Sequence, residues 1–178
     1  DRAAPGDVVL LSGTVGDHGI AVLSKREGLT FETDLVSDSA ALNGLVAALL
    51  TVAPHVHCLR DPTRGGLAAA LNELAMTSGV GIEIDESAVP VRPAVAAACE
   101  MMGFDPLTVA NEGKMVVIIP PEEAEAGLAA LRAHPLGENA IRIGAVTEEH
   151  PGMVLARPGI GGRRVVDMPL GELLPRIC

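Results

Sequence analysis

Apolar positions along the chain fall into short continuous runs and 3.6-residue stripes, the signatures of buried strands and amphipathic helices. Val8 to Leu11 is such a run after Pro5-Gly6-Asp7, and it predicts a buried strand leaving into a glycine-bearing loop from Ser12 to Gly19. Ser37 and Asp38 are helix-capping types ahead of Leu42, Leu45, Val46, Leu49 and Leu50, so a helix is predicted over 39–52, stopped by Pro54. His55 to Leu59 predicts a strand. Asp61-Pro62-Thr63-Arg64-Gly65-Gly66 then leads into a helix whose Leu67, Leu71 and Leu74 face a core.

Gly81 to Asp85 alternates as a strand does, and Pro93 to Met102 carries Pro at its start and Gly just past its end, the helical asymmetry. Lys114 to Ile119 is β-branched and apolar on both faces, as in a central strand. After Pro120-Pro121 a helix is predicted with Glu122, Glu123 and Glu125 in its first turn and Arg132 in its last, which complements the helix dipole. Ile141 to Val146, Met153 to Ala156 and Arg163 to Val166 read as closing strands, the last after the turn Gly159-Ile160-Gly161-Gly162. With no repeat or linker, residues 1–170 are expected to form one α+β domain, a mixed sheet with packed helices. Residues 171–178 break the pattern and are expected to form a flexible C-terminal tail.

Composition narrows the function. The 178 residues can bury a real core, and at 48% hydrophobic and 20% charged they lie near the globular norm. A mean hydropathy of +0.36 comes from Ala, Val and Leu without a membrane-length run. Trp and Tyr are absent and Phe31 and Phe104 stand alone, which excludes an aromatic platform for stacking single-stranded nucleic acid. A net charge of −10 repels phosphate backbones and anionic membranes alike, so no nucleic acid and no membrane partner is expected. Any nucleotide has to be held by a few placed groups.

Cysteines 58, 99 and 178 are odd in number and widely spaced, arguing against a disulfide framework or a zinc site and for a reducing cytoplasm. The chain starts at Asp1 with neither an initiator Met nor a signal pattern, and is expected to begin inside a longer protein.

Four places could carry chemistry. Cys178 is the last residue, after a Pro that blocks regular structure, so its thiol could sit on a tether entering a pocket; an incidental terminal Cys is the competing account. For Cys58 and Cys99, core packing is the better reading. Gly65 and Gly66 open a helix, where free N–H groups and the dipole favour an anion, with Arg64 as a clamp and Asp61 as a partner for a metal-bound phosphate; a plain capping turn explains the same residues. In Asn111-Glu112-Gly113-Lys114, Glu112 is a candidate general base whose pKa burial beside the strand would raise, unless it simply pairs with Lys114 on the surface. His18 lies in Gly16-Asp17-His18-Gly19, where the glycines allow close approach of a ligand or make a turn. His55 and His57 share a strand face without a third ligand, and no metal site is assigned.

Together Gly16-Asp17-His18-Gly19, Asp61-Pro62-Thr63-Arg64-Gly65-Gly66, Asn111-Glu112-Gly113-Lys114 and the ending Pro175-Arg176-Ile177-Cys178 resemble the C-terminal part of the HypE hydrogenase maturation family, within the aminoimidazole ribonucleotide (AIR) synthase-like group. The resemblance covers the whole chain and implies an AIR synthase C-terminal fold. It also implies an N-terminal ATP-binding domain that this chain lacks, and a homodimer for the full-length protein. In that family a carbamoyltransferase, HypF, loads the terminal cysteine. ATP and Mg2+ drive dehydration of the carbamoyl group to a thiocyanate, and the cyanide passes to iron held by HypC and HypD. Carried over by motif, Cys178 is the acceptor and Glu112 the base, while Asp61, Arg64, Gly65, Gly66, Asn111, Lys114 and His18 line the cleft facing ATP. Two other readings remain: an ATP-dependent synthetase or kinase of a small molecule with Cys178 incidental, or a docking module that presents its tail. The isolated chain is expected to be inactive, since phosphoryl transfer needs the other half.

Overall fold

The structure is a computed structural model that describes residues 2–28, 35–159 and 161–169. Cys178, the 171–178 tail and Ile160 of the predicted turn lie outside them. The strands are β1 (Val8–Leu11), β2 (Cys58–Arg60), β3 (Gly81–Asp85), β4 (Val116–Ile119), β5 (Ile141–Thr147), β6 (Val154–Arg157) and β7 (Arg164–Val165). They form one seven-stranded sheet in the order β2-β4-β1-β5-β3-β6-β7, antiparallel except for β3 with β6, the mixed sheet expected of the α+β class. The helices are α1 (Asp17–Glu27), α2 (Asn43–Val52), α3 (Gly66–Ser78), α4 (Pro93–Met102) and α5 (Pro121–Ala133).

Central strands that are apolar on both faces need cover on both faces, and here each face has its own core. Val9 and Leu11 of β1 and Val116 and Ile118 of β4 pack with Leu67, Leu71 and Leu74 of α3. Val8, Leu10, Val117 and Ile119 point the other way, onto Leu45 and Leu49 of α2 and Leu131 of α5. Burying each such Leu contributes about 1.5–3 kcal/mol. A third cluster joins Ile20 of α1 to Val95, Ala98 and Cys99 of α4 and to Val109.

Four expectations are corrected. The predicted loop to Gly19 ends at Gly16, where α1 begins; Gly16 has φ +85°, and Ile20 N–H closes the first turn on its carbonyl. Glycines at 13, 16 and 19 hid this helix. α2 starts at Asn43, not Ser39, because Asp38 spends its carboxylate elsewhere and Ser37 Oγ is taken up by Ser39 N–H and His18 Nδ1. Leu50 is exposed, and the strand read over 55–59 is shifted to Cys58–Arg60.

Candidate functional site

Antiparallel pairing of Leu11 with Val116 brings the loop that leaves β1 and the loop that enters β4 to one end of the sheet. Ser12 and Met115 join them: Ser12 N–H donates to Met115 O at 3.0 Å, and Met115 N–H donates to Ser12 Oγ at 2.9 Å. The segment before α2 crosses both loops. Glycine is required at 113, since a Cβ there would lie 1.7 Å from Asp38 O. This approach delivers the Asp38 carboxylate, with Oδ1 accepting from Glu112 N–H at 3.1 Å and Oδ2 lying 3.4 Å from Lys114 Nζ. Gly13 leaves room for the Lys114 side chain, 3.2 Å from where its Cβ would be.

Between these pieces lies a cavity of about 320 Å³, whose lining includes Ser12, Thr14, Asp38, Arg92, Lys114 and Glu138. Behind it Asp17, with a side chain 1% exposed, accepts from Thr14 Oγ through Oδ2, while Arg92 Nε stands 3.3 Å from Oδ1. Both ion pairs lack hydrogen-bond geometry, so Asp17 Oδ1 and Asp38 Oδ2 are buried acceptors with capacity left. His18 is alike: Nδ1 lies 2.8 Å from Ser37 Oγ, and the buried Nε2 has no partner. Leaving such groups unmet costs about 1–3 kcal/mol each, which is what a ligand-binding surface keeps in reserve. Two cations suit phosphate or carbonyl oxygens, and the open carboxylate oxygens suit amide N–H groups or a hydrated Mg2+. The volume is at the low end for ligand sites and holds an acyl or phosphoryl group more readily than a whole nucleotide. Among the described residues no group of three His, Cys, Asp or Glu could hold a metal.

Of the residues singled out in the sequence, Lys114 lines this cavity and His18 stands beside it through Ser37. Glu112 is exposed, which corrects the expectation that it is buried beside the strand. Nor does it pair with Lys114, whose partner is Asp38. Asn111 is fully buried: Oδ1 accepts from Gly16 N–H at 2.7 Å, and Nδ2 donates at 3.0 Å to both Pro62 O and Val109 O. One side chain thus ties three of the motifs together. Asp61 and Arg64 are exposed on the loop Asn111 grips. Gly66 N–H donates to Thr63 O at 3.0 Å, so of the two glycine amides read as an anion cradle this one is already used. A Cβ at Gly66 would meet the carbonyls of Leu107 and Val109 at 2.6 Å; the glycine there serves close packing.

Cys58 and Cys99 are core residues as read, and burial, then Asp105, pushes the Cys99 thiol up to about 11. His57 pairs with Asp7 and His55 with Glu123. Sequence reasoning missed Asp38, Asp17 and Arg92 as site residues. Arg92 did leave a signal, being a cation at the N-terminus of α4, where the dipole disfavours positive charge.

Comparison with known proteins bears on this geometry. The family described as AIR synthase related protein, C-terminal domain, matches residues 4–155. The carbamoyl dehydratase HypE of Cupriavidus necator is 60% identical over 176 residues, covering 99% of this chain and 50% of the relative. A solved HypE in complex with ATP superposes with a TM-score of 0.93 at 47% identity, over 97% of this chain and 53% of the other. A solved HypE-HypF complex does so at 0.90 and 48%, over 94% and 54%. The chain spans about half the length of the curated relatives it matches. No helix among the described residues is long and apolar enough to cross a membrane.

Proposed function

Because the chain belongs to the AIR synthase related family through its C-terminal domain, we propose that it is the C-terminal half of an ATP-dependent carbamoyl dehydratase in hydrogenase maturation, with Cys178 as the carrier thiol. The observation that carries the reading is the near-complete match of the chain to carbamoyl dehydratase HypE, in a protein whose cavity keeps unmet buried acceptors beside two cations.

In the reaction, Cys178-S-C(=O)-NH2 gives up its carbonyl oxygen and both nitrogen protons and becomes Cys178-S-C≡N. ATP, with its Mg2+, supplies the phosphoryl group that takes that oxygen away as phosphate, leaving ADP. This chain's residues bind and move protons around that exchange. Lys114 and Arg92 hold anionic oxygens, and Asp38 and Asp17 keep those cations in place. Asp38 also fixes the backbone of Glu112, the base for the nitrogen protons. Asp38 Oδ2 could accept an amide N–H or a water on Mg2+. His18, Asp61, Arg64 and Gly65 border the region that meets ATP, and Asn111 holds its loops in register.

A carbamoyltransferase of the HypF kind loads the cysteine, supported by the solved HypE-HypF complex. The acceptors of the cyanide are proteins of the HypC and HypD kind, and the whole protein pairs as a homodimer in the reducing cytoplasm, where a free tail thiol persists. The test is mass analysis of the C-terminal peptide after incubating the chain, joined to its N-terminal half, with the carbamoyltransferase, carbamoyl phosphate and ATP. Cys178 gains a carbamoyl group and then loses one water; an unmodified cysteine overturns the proposal. Glu112→Gln should stop the second step and spare the first.

A further inference from the structure

The segment that leads into the tail is held by side chains that have no part in the chemistry above. Arg164, on β7, donates from Nε and Nη2 to both carboxylate oxygens of Glu86 at 2.8 and 2.7 Å, and from Nη2 to Asp105 at 2.9 Å. Two residues on, Val166 is buried; its N–H donates to Val154 O at 2.8 Å, and its carbonyl accepts from Asn72 Nδ2 at 2.8 Å. Asn72 is itself buried in α3. Three residues further, Pro169 Cγ lies 3.4 Å from where a Cβ on Gly65 would stand. The geometry closes: seven helical residues from Asn72 to Gly65 rise about 10.5 Å, and three extended residues from Val166 to Pro169 span about 10 Å. Between Val166 and Pro169 the segment therefore runs along α3 toward its N-terminus and meets the Asp61–Gly66 loop at Gly65, and Asn111 ties that loop to Gly16 beside the cavity.

We propose that Arg164 and Asn72 are positioning residues that root the Cys178 tether on the Asp61–Gly66 loop, and so set the effective concentration of the carrier thiol at the reaction site. This rests on the carbamoyl dehydratase reading. From that root the nine residues 170–178 reach at most about 30 Å. Releasing 164–169 makes the tether fifteen residues long. Effective concentration falls roughly as the −3/2 power of length, so length alone lowers it about twofold, and loss of the root's placement lowers it further.

The experiment compares dehydration in two modes, using the chain joined to its N-terminal half. In the first, the protein dehydrates its own carbamoylated Cys178. In the second, the same protein carrying Cys178→Ser dehydrates a carbamoylated peptide that ends in Pro-Arg-Ile-Cys. Arg164→Ala with Asn72→Ala should slow the first mode at least about twofold and leave the second unchanged, which also shows that the variant is folded. Arg164→Lys should recover part of the loss. Equal slowing of both modes, or of neither, overturns the proposal. Failure of the unsubstituted protein in both modes overturns the carbamoyl dehydratase reading, and this inference with it.

Discussion

Asn111 Oδ1 accepts a 2.7 Å hydrogen bond from Gly16 N–H, fastening the start of α1 to the turn that precedes β4. Gly16 takes φ +85° there and is packed so closely that a Cβ would lie 2.8 Å from Val95 Cγ1. The amide nitrogen of the same side chain holds Pro62 O and Val109 O. An amide offers one acceptor and two donors on one rigid plane, and all are spent on backbone groups; Pro62 O accepts as well from the Asn111 backbone N–H at 3.2 Å.

Asn111→Asp keeps the acceptor and turns the donor edge into oxygen facing two carbonyls. Setting a carboxylate oxygen against those two carbonyls, with Val109 O losing its donor and Pro62 O keeping only the residue 111 N–H, is expected to cost about 2–4 kcal/mol, read as a lower midpoint in urea unfolding. A midpoint equal to that of the unsubstituted chain would show that the three loops stand without it.

Lys114 and Asp38 form a pair with side chains 13% and 3% exposed. Removing either partner strands the other charge, so Lys114→Met and Asp38→Asn should each cost about 3 kcal/mol. The double variant should cost less than the sum, with a coupling of about 1–3 kcal/mol from a double-mutant cycle. Additive effects would mean that the 3.4 Å pair does not couple.

Gly113 and Gly103 make a paired test of space against backbone angle. A Cβ at Gly103 meets nothing within 4 Å but sits at φ +71°, so Gly103→Ala should cost about 1 kcal/mol. At Gly113 the Cβ would meet Asp38 O at 1.7 Å, and backbone has to move. Gly113→Ala is expected to cost more than about 4 kcal/mol, or to prevent folding, as judged by thermal unfolding. Similar losses at both sites would refute the close approach of 113 to Asp38.

The hydrogen bonds from Arg164 hold the Glu86 carboxyl below its ordinary value of 4.5, against a smaller opposing effect of burial. A carboxyl with a lowered folded pKa contributes stability that is fully present above the unfolded value and is lost as pH falls through the folded one. The stability gap between the unsubstituted chain and Glu86→Gln should therefore be largest above about pH 4.5 and close in more acid solution. Arg164 is 38% exposed, so screening limits the gap to about 1 kcal/mol or less. A gap that widens on acidification would contradict this pairing.

Periodicity made the α+β class legible, because burial on one face or two imposes a period on each element. The strand Val8–Leu11 and the helix Pro93–Met102 have the bounds their sequence signals. Helix α1 was illegible, since its first turn is stabilised by a glycine conformation and by Asn111, 95 positions away. The start of α2 was misread because Asp38, a good cap by type, is claimed by Glu112 N–H and Lys114.

By itself the sequence determined which segments bury apolar surface, and which motifs and terminal thiol carry the family resemblance. These depend on residue type and local spacing. Tertiary structure alone decided that Asp38, Asp17 and Arg92 join Lys114 around one cavity, that Asn111 binds backbone, and that Arg164 and Asn72 hold the segment leading to the tail. Each of these is a contact between residues far apart in the chain, set by strand pairing and close packing, and no local pattern encodes it.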